Sequence, residues 1–191
     1  SNSSAASDVY KRQGIATGVV KIDGQLIIIL DFERIVSDIS PETGLKVSDI
    51  DKLEGRPKNE AHMVIAEDSP LLMKLISDSL IKSGYDNLTL CANGQEAWEC
   101  LAKLKDTDEM DVACVITDLE MPLMDGHRLT KLIKTDDKLK QIPVVIFSSL
   151  INDQMRAKGE ALGADAQLSK PEIGNLVRIV DELVAEKHLD R

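Results

Sequence analysis

Five residues whose side chains can do chemistry stand at the ends of short apolar runs. HMVIA leads into Glu67 and Asp68, VACVIT into Asp118, IPVVIF into Ser148, and DAQLS into Lys170. An acid at the end of a run that reads as buried costs desolvation, so its presence there asks for a reason. Three carboxylates brought together repel, and the usual relief is a bound cation. Since every ligand on offer is an oxygen, that cation is a hard one, and Mg²⁺ fits best. A hydroxyl and an ammonium opposite the metal would complete a cradle for a phosphoryl group, its charge divided among metal, Ser148 and Lys170. Asp118 can then serve as nucleophile and form an aspartyl phosphate.

For these residues to meet, the runs that carry them must lie side by side. From His62 onward short apolar runs alternate with amphipathic stretches, the pattern of a parallel sheet covered on both faces. The expected strands are HMVIAE, NLTLC, VACVIT, IPVVIFS and DAQLS. The expected helices run over about 70–83, 95–105, 126–134, 153–162 and 171–187, the first closed by Gly84 in the favoured position after a helix. Five strands and five helices make one doubly wound α/β domain, in which ligands bind outside the carboxyl ends of the strands.

Ahead of it lies GIATGVVKIDGQLIIILDF, two aliphatic runs joined by Asp23-Gly24, the strongest short-range hairpin signal. ERIVSDI follows with helical spacing. A hairpin of this size buries too little surface to stand alone, so it is expected to be the tail of a larger domain or to lean on a partner. Residues 40–60 carry the composition of a linker, and 1–13 that of a tag or unstructured remnant. The expected division is 1–13 remnant, 14–39 domain fragment, 40–60 linker and 61–191 α/β domain.

A formal charge of −10 with acids spread along the chain argues against nucleic acid as a ligand. No apolar run approaches the ~20 residues of a membrane span. Cys91, Cys100 and Cys114 are odd in number and unpaired in spacing, which favours reduced thiols and points to the cytoplasm. His62, His127 and His188 lack ligand-like spacing and read as surface or structural; Trp98 reads as core or partial cover, and Asp106–Asp111 as a solvated loop.

The pair in AEDSPLLMKLI, the run DLEMPLMDG, the Ser-Ser after IPVVIF and the Lys-Pro in SKPE together resemble the response-regulator receiver domain of two-component signalling, over roughly residues 61–188. The resemblance implies a flavodoxin-like sheet of order 2-1-3-4-5. It implies Asp118 as phosphoacceptor, Glu67 and Asp68 as metal-binding acids, and the Glu120 backbone carbonyl as a further Mg²⁺ ligand. Ser148 would be the hydroxyl that moves toward the phosphate, with Lys170 its cationic partner. One position departs from the pattern: where the family often carries an aromatic switch residue, this chain has Gln167.

The amino-terminal GIATGVVKIDGQLIIILDFERIV resembles the closing hairpin and helix of a CheW-type coupling domain, most of which would lie outside this chain. A coupling domain ahead of a receiver implies an adaptor in chemotaxis-type signalling, phosphorylated by the histidine kinase CheA and engaging chemoreceptors, and not a conventional enzyme. The aliphatic face of LIIIL would be covered by a second chain, giving a homodimer. Two other functions compete. One is a stand-alone receiver acting as a phosphate sink. The other is a magnesium-dependent aspartyl-phosphate phosphatase of the haloacid dehalogenase class, disfavoured because its D-x-D motif usually closes the first strand, whereas Asp118 closes the third.

Overall fold

The computed structural model describes residues 16–22, 24–30, 56–107, 111–149, 151–170 and 173–189. The expected remnant at 1–13, the helix expected at ERIVSDI and most of the expected linker lie outside them.

Strands β1 (Ala16–Ile22) and β2 (Gln25–Leu30) form an antiparallel hairpin. Ile22 faces Gln25, so the turn is two residues long, and Gly24 takes φ +80°, the left-handed conformation such a turn demands. Val20, Leu26 and Ile27 are exposed.

The second sheet contains β3 (His62–Ala66), β4 (Leu88–Cys91), β5 (Val112–Thr117), β6 (Val144–Ser148) and β7 (Ala166–Ser169), all parallel, in the order β4-β3-β5-β6-β7. Numbered within the domain this is 2-1-3-4-5, the order the resemblance implied. Between and after the strands run α1 (Pro70–Lys82), α2 (Gly94–Leu104), α3 (Gly126–Thr135), α4 (Asp153–Ala161) and α5 (Ile173–Leu189). The fold is the flavodoxin-like α/β architecture.

Side-chain alternation along the strands builds the two halves of the core. Met63 and Ile65 of β3 pack with Ile116, Phe147, Ile76, Leu80, Leu176 and Val180 beneath α1 and α5. Val64 and Ala66 turn the other way, against Val115, Ala97, Leu101, Leu129 and Ile133 beneath α2 and α3. Strand β5 lies between β3 and β6, and all six of its residues are buried. A run apolar on both faces therefore signals the centre of the sheet, and that centre carries Asp118 at its carboxyl end.

Side-chain caps start the helices near the site edge. Ser69 caps α1 ahead of Pro70, whose missing N–H is no loss in the first turn. Asp125 caps α3, accepting from Arg128 N at 2.7 Å, and Asn152 caps α4, accepting from Met155 N at 2.9 Å. Helix α4 buries only Gly159 among its own residues. It is held instead by polar contacts: Gln167 Nε2 donates to Arg156 O at 2.8 Å, and Arg156 Nη1 donates to Gln167 O at 3.3 Å. A Cβ on Gly159 would lie 2.3 Å from Gln167 Oε1. At the position where the aromatic was absent, an amide thus fastens β7 to α4, and its Oε1 is buried without a hydrogen-bond partner.

Candidate phosphoacceptor site

Asp118 follows the last residue of β5 and is tied on every side. Its N–H donates to Ala66 O at 2.9 Å, continuing the ladder to β3. Its carboxylate Oδ1 accepts from Leu119 N at 2.6 Å, and Oδ2 accepts from Lys170 Nζ at 2.7 Å. The side chain is buried. The loop that follows turns back tightly: Gly126 N donates to Leu119 O at 3.0 Å, and Leu123 adopts φ +66°, unusual for a branched side chain.

Gly126 is dictated by proximity to this carboxylate's backbone. A Cβ there would lie 2.0 Å from Asp118 O and 3.1 Å from Thr117 Oγ1. Since the obstacle is backbone, relief requires moving Asp118 itself. Gly126→Ala is expected to cost about 2 kcal/mol of stability and to slow any reaction at Asp118. Urea unfolding checks the first effect, and an unchanged midpoint would contradict the close approach.

Glu67, just past β3, is 2% exposed. Its Oε1 accepts from Ser69 N at 3.0 Å and from Lys170 Nζ at 3.3 Å. Oε2 lies 3.0 Å from Lys170 Nζ but off the line a hydrogen bond needs, and is buried without a donor. Burial pushes the Glu67 carboxyl above its usual range, against the opposing pull of Lys170 and the Ser69 N–H. Burial would lower the ammonium of Lys170, but its hydrogen bonds to Asp118 and Glu67 outweigh that and hold it raised.

Asp68, exposed, brings the third carboxylate: ligand atoms of Glu67, Asp68 and Asp118 lie within 4.8 Å of one another. Three carboxylates facing one ammonium leave an excess of negative charge, and the buried Glu67 Oε2, though 3.0 Å from Lys170 Nζ, accepts no hydrogen bond. Both observations fit a hard divalent cation in the cluster. Ser148 ends β6 with 1% exposure, in register with Ser169, directly before Lys170. The structure therefore brings Glu67, Asp68, Asp118, Ser148 and Lys170 to one edge of the sheet, as their positions at run ends required.

An open cleft of about 490 Å³ adjoins them, lined by Asp68, Leu119, Glu120, Met121, Asp125, His127 and Met155. His127, expected at the surface or in a structural role, is buried, 8% exposed, with Nε2 3.3 Å from Met155 O. The signal was its place in the first turn of α3, three residues before buried Thr130. A carbonyl can only accept, so Nε2 carries the proton of the neutral ring.

Burial lowers the His127 pKa first, Lys158 adds to that, and the Met155 bond and Asp125 oppose it. A folded value below the unfolded one, about 6.5, means that the native state binds the proton less readily. Stability due to His127 is present above the unfolded value and is lost as pH falls through the folded one. His127→Gln keeps a donor without the titration, so between about pH 7.5 and 5.5 the variant should gain on the wild type in urea midpoint. A difference independent of pH would count against this assignment.

A sheet of this order with an acid triad, a strand-end hydroxyl and a lysine at its carboxyl edge defines a class of phosphoryl-accepting signalling domain. A family model described as the response regulator receiver domain matches residues 63–181, and the chain belongs to that family. Among individual proteins, it is 29% identical over 163 residues to chemotaxis protein CheV1 of Helicobacter pylori, covering 85% of this chain and 50% of that protein. It is 30% identical to CheV2 of the same organism over 166 residues, covering 84% and 51%. The chain thus spans about half the length of these curated relatives. Among solved structures, the receiver domain of a histidine kinase from Syntrophus aciditrophicus is similar at 28% identity and a TM-score of 0.58, over 66% of this chain and 91% of that one.

Proposed function

We propose that this chain is the phosphoryl-accepting part of a chemotaxis adaptor of the CheV type, with Asp118 as the acceptor. The observation that carries the reading is Asp118 itself: a buried carboxylate held by Leu119 N and Lys170 Nζ, within ligand distance of two further acids, one with a donor-less oxygen. In the transfer, a carboxylate oxygen of Asp118 bonds to phosphorus. The bond from phosphorus to the donor's histidine nitrogen, or to the acetate oxygen of acetyl phosphate, breaks, and its electron pair leaves with the donor.

Glu67, Asp68, Asp118 and the Glu120 carbonyl would hold Mg²⁺, which supplies positive charge for the phosphoryl oxygens when bound. Lys170 contributes a fixed cation between Asp118 and Glu67, and Ser148 a hydroxyl at the adjoining strand end. Because Lys170 and the backbone hold the carboxylate before the donor arrives, little reorganisation is required. The chain's own contribution is self-catalysed acceptance and loss of phosphate, so it is not an enzyme acting on a separate substrate.

The physiological donor in this reading is the histidine kinase CheA, and chemoreceptors are the further partners. The similarity to CheV1 and CheV2 over most of this chain supports that setting. No helix among the described residues is long and apolar enough to cross a membrane, which suits a cytoplasmic component. The exposed Val20, Leu26 and Ile27 suit a hairpin completed by the rest of a CheW-like domain or by a second copy of the chain as a homodimer. Sedimentation as a clean monomer at high concentration would remove the second arrangement.

Incubation with acetyl phosphate and Mg²⁺, followed by intact mass, tests the acceptor function. A gain of one phosphoryl group that requires Mg²⁺ supports it, and no gain from acetyl phosphate or phosphorylated kinase overturns it.

A further inference from the structure

The residues that lead into β3 do not behave as a free linker. Asn59 N donates to Gly84 O at 2.8 Å, Asn59 and Tyr85 form a parallel bridge, and Asn87 Nδ2 donates to Glu60 O at 3.2 Å. Lys58 pairs with Asp86. Gly84, at φ +97°, allows the approach: a Cβ there would lie 2.6 Å from Pro57 O. The segment then reaches across to α5. Arg56 Nη2 lies 3.0 Å from Asp181 Oδ2, while Asp181 Oδ1 accepts from Tyr85 Oη at 2.6 Å. Both oxygens of Asp181 are therefore occupied, one by the segment and one by a tyrosine that is 3% exposed.

Helix α5 connects this clamp to the acceptor site. Its first residue, Ile173, lies three positions after Lys170, whose Nζ contacts both Asp118 and Glu67. Asp181 stands eight positions further, about 12 Å along the helix axis. Leu176, Val177, Val180 and Val184 seat the helix in the core, so it moves as one body. One end of α5 thus begins three positions after the lysine that contacts Asp118, and its middle holds the chain that precedes the domain.

We propose that residues 56–60 form a docked strap on the α1–β4 turn and α5, and that phosphorylation of Asp118 loosens it through α5. This rests on the acceptor reading above. A phosphoryl group places its oxygens beyond the present Asp118 Oδ2, and Lys170, following them, draws α5 toward the site pole. Asp181 is then carried off the line of Arg56 and Tyr85. By linkage, a strap already loosened favours the phosphorylated state.

Hydrogen exchange of residues 56–61, read in the full chain with and without acetyl phosphate and Mg²⁺, tests the proposal, with uptake of phosphate followed by intact mass on the same samples. Exchange is expected to rise about fivefold on phosphorylation, the lower end of coupling between linked sites. Arg56→Ala, which spares the buried tyrosine, should show the fast exchange before phosphorylation and little further change after it. A phosphoryl mass gain with unchanged exchange in the wild type overturns the strap's coupling alone. Absence of the mass gain overturns the acceptor reading and the coupling with it. Slow exchange in Arg56→Ala, matching the wild type, overturns the clamp.

Discussion

Asp118→Asn is expected to lower the rate of phosphoryl uptake from acetyl phosphate by at least about a thousandfold, because the nucleophilic oxygen is replaced by a group that cannot form the acyl phosphate. The amide can keep much of the geometry: its oxygen can still accept from Leu119 N, the bond Oδ1 makes now. What it loses is the charge that Lys170 Nζ meets at 2.7 Å. Folding should therefore survive, as urea unfolding of the variant can show, so that loss of uptake reports chemistry. If the variant still gained one phosphoryl group, peptide mapping would place the label on another residue and Asp118 would not be the acceptor. A label on neighbouring Asp68 would move the nucleophile to the carboxylate that is exposed, and the argument from a rigidly held buried group would go with it.

Lys170→Met has the second large expected effect, on stability. The methionine replaces the stem but leaves Glu67 and Asp118, both buried, without the ammonium between them. Breaking a buried ion pair from one side strands the other charge, and a loss of about 3 kcal/mol is expected at neutral pH without divalent cation. The sign with pH follows from Glu67, whose carboxyl burial already pushes upward. With the lysine gone it is pushed further, so the native state takes up a proton that the unfolded chain does not. The deficit is then full above the raised folded value and shrinks as pH falls through it. Mg²⁺ should restore part of the loss in the variant and more of it than it adds to the wild type, since the ion supplies the missing positive charge. Equal Mg²⁺ responses in the two proteins, measured by thermal unfolding, would show that the acid cluster does not hold the ion.

The chain's own order of residues was sufficient for the fold and for the gathering of Glu67, Asp68, Asp118, Ser148 and Lys170 at one edge of the sheet. Runs apolar on both faces marked buried parallel strands, 3.6-residue spacing marked the helices, and Asp23-Gly24 marked the two-residue hairpin turn. These are local signals, and each reports on chain within a few residues of itself. Strand ends placed Glu67, Asp68, Asp118, Ser148 and Lys170 at one edge, because every strand of a parallel sheet points the same way. Which atoms then meet was decided only by tertiary structure. Lys170 reaches Asp118 across 52 positions and Glu67 across 103, and Arg56 finds Asp181 across 125. The donor-less oxygen on Glu67, the buried ring of His127 and the Gln167 amide seated over Gly159 likewise arise where separate elements touch. No periodicity encodes such contacts; they depend on the strand order and on how far each helix lies from its neighbour, which are properties of the packed core as a whole.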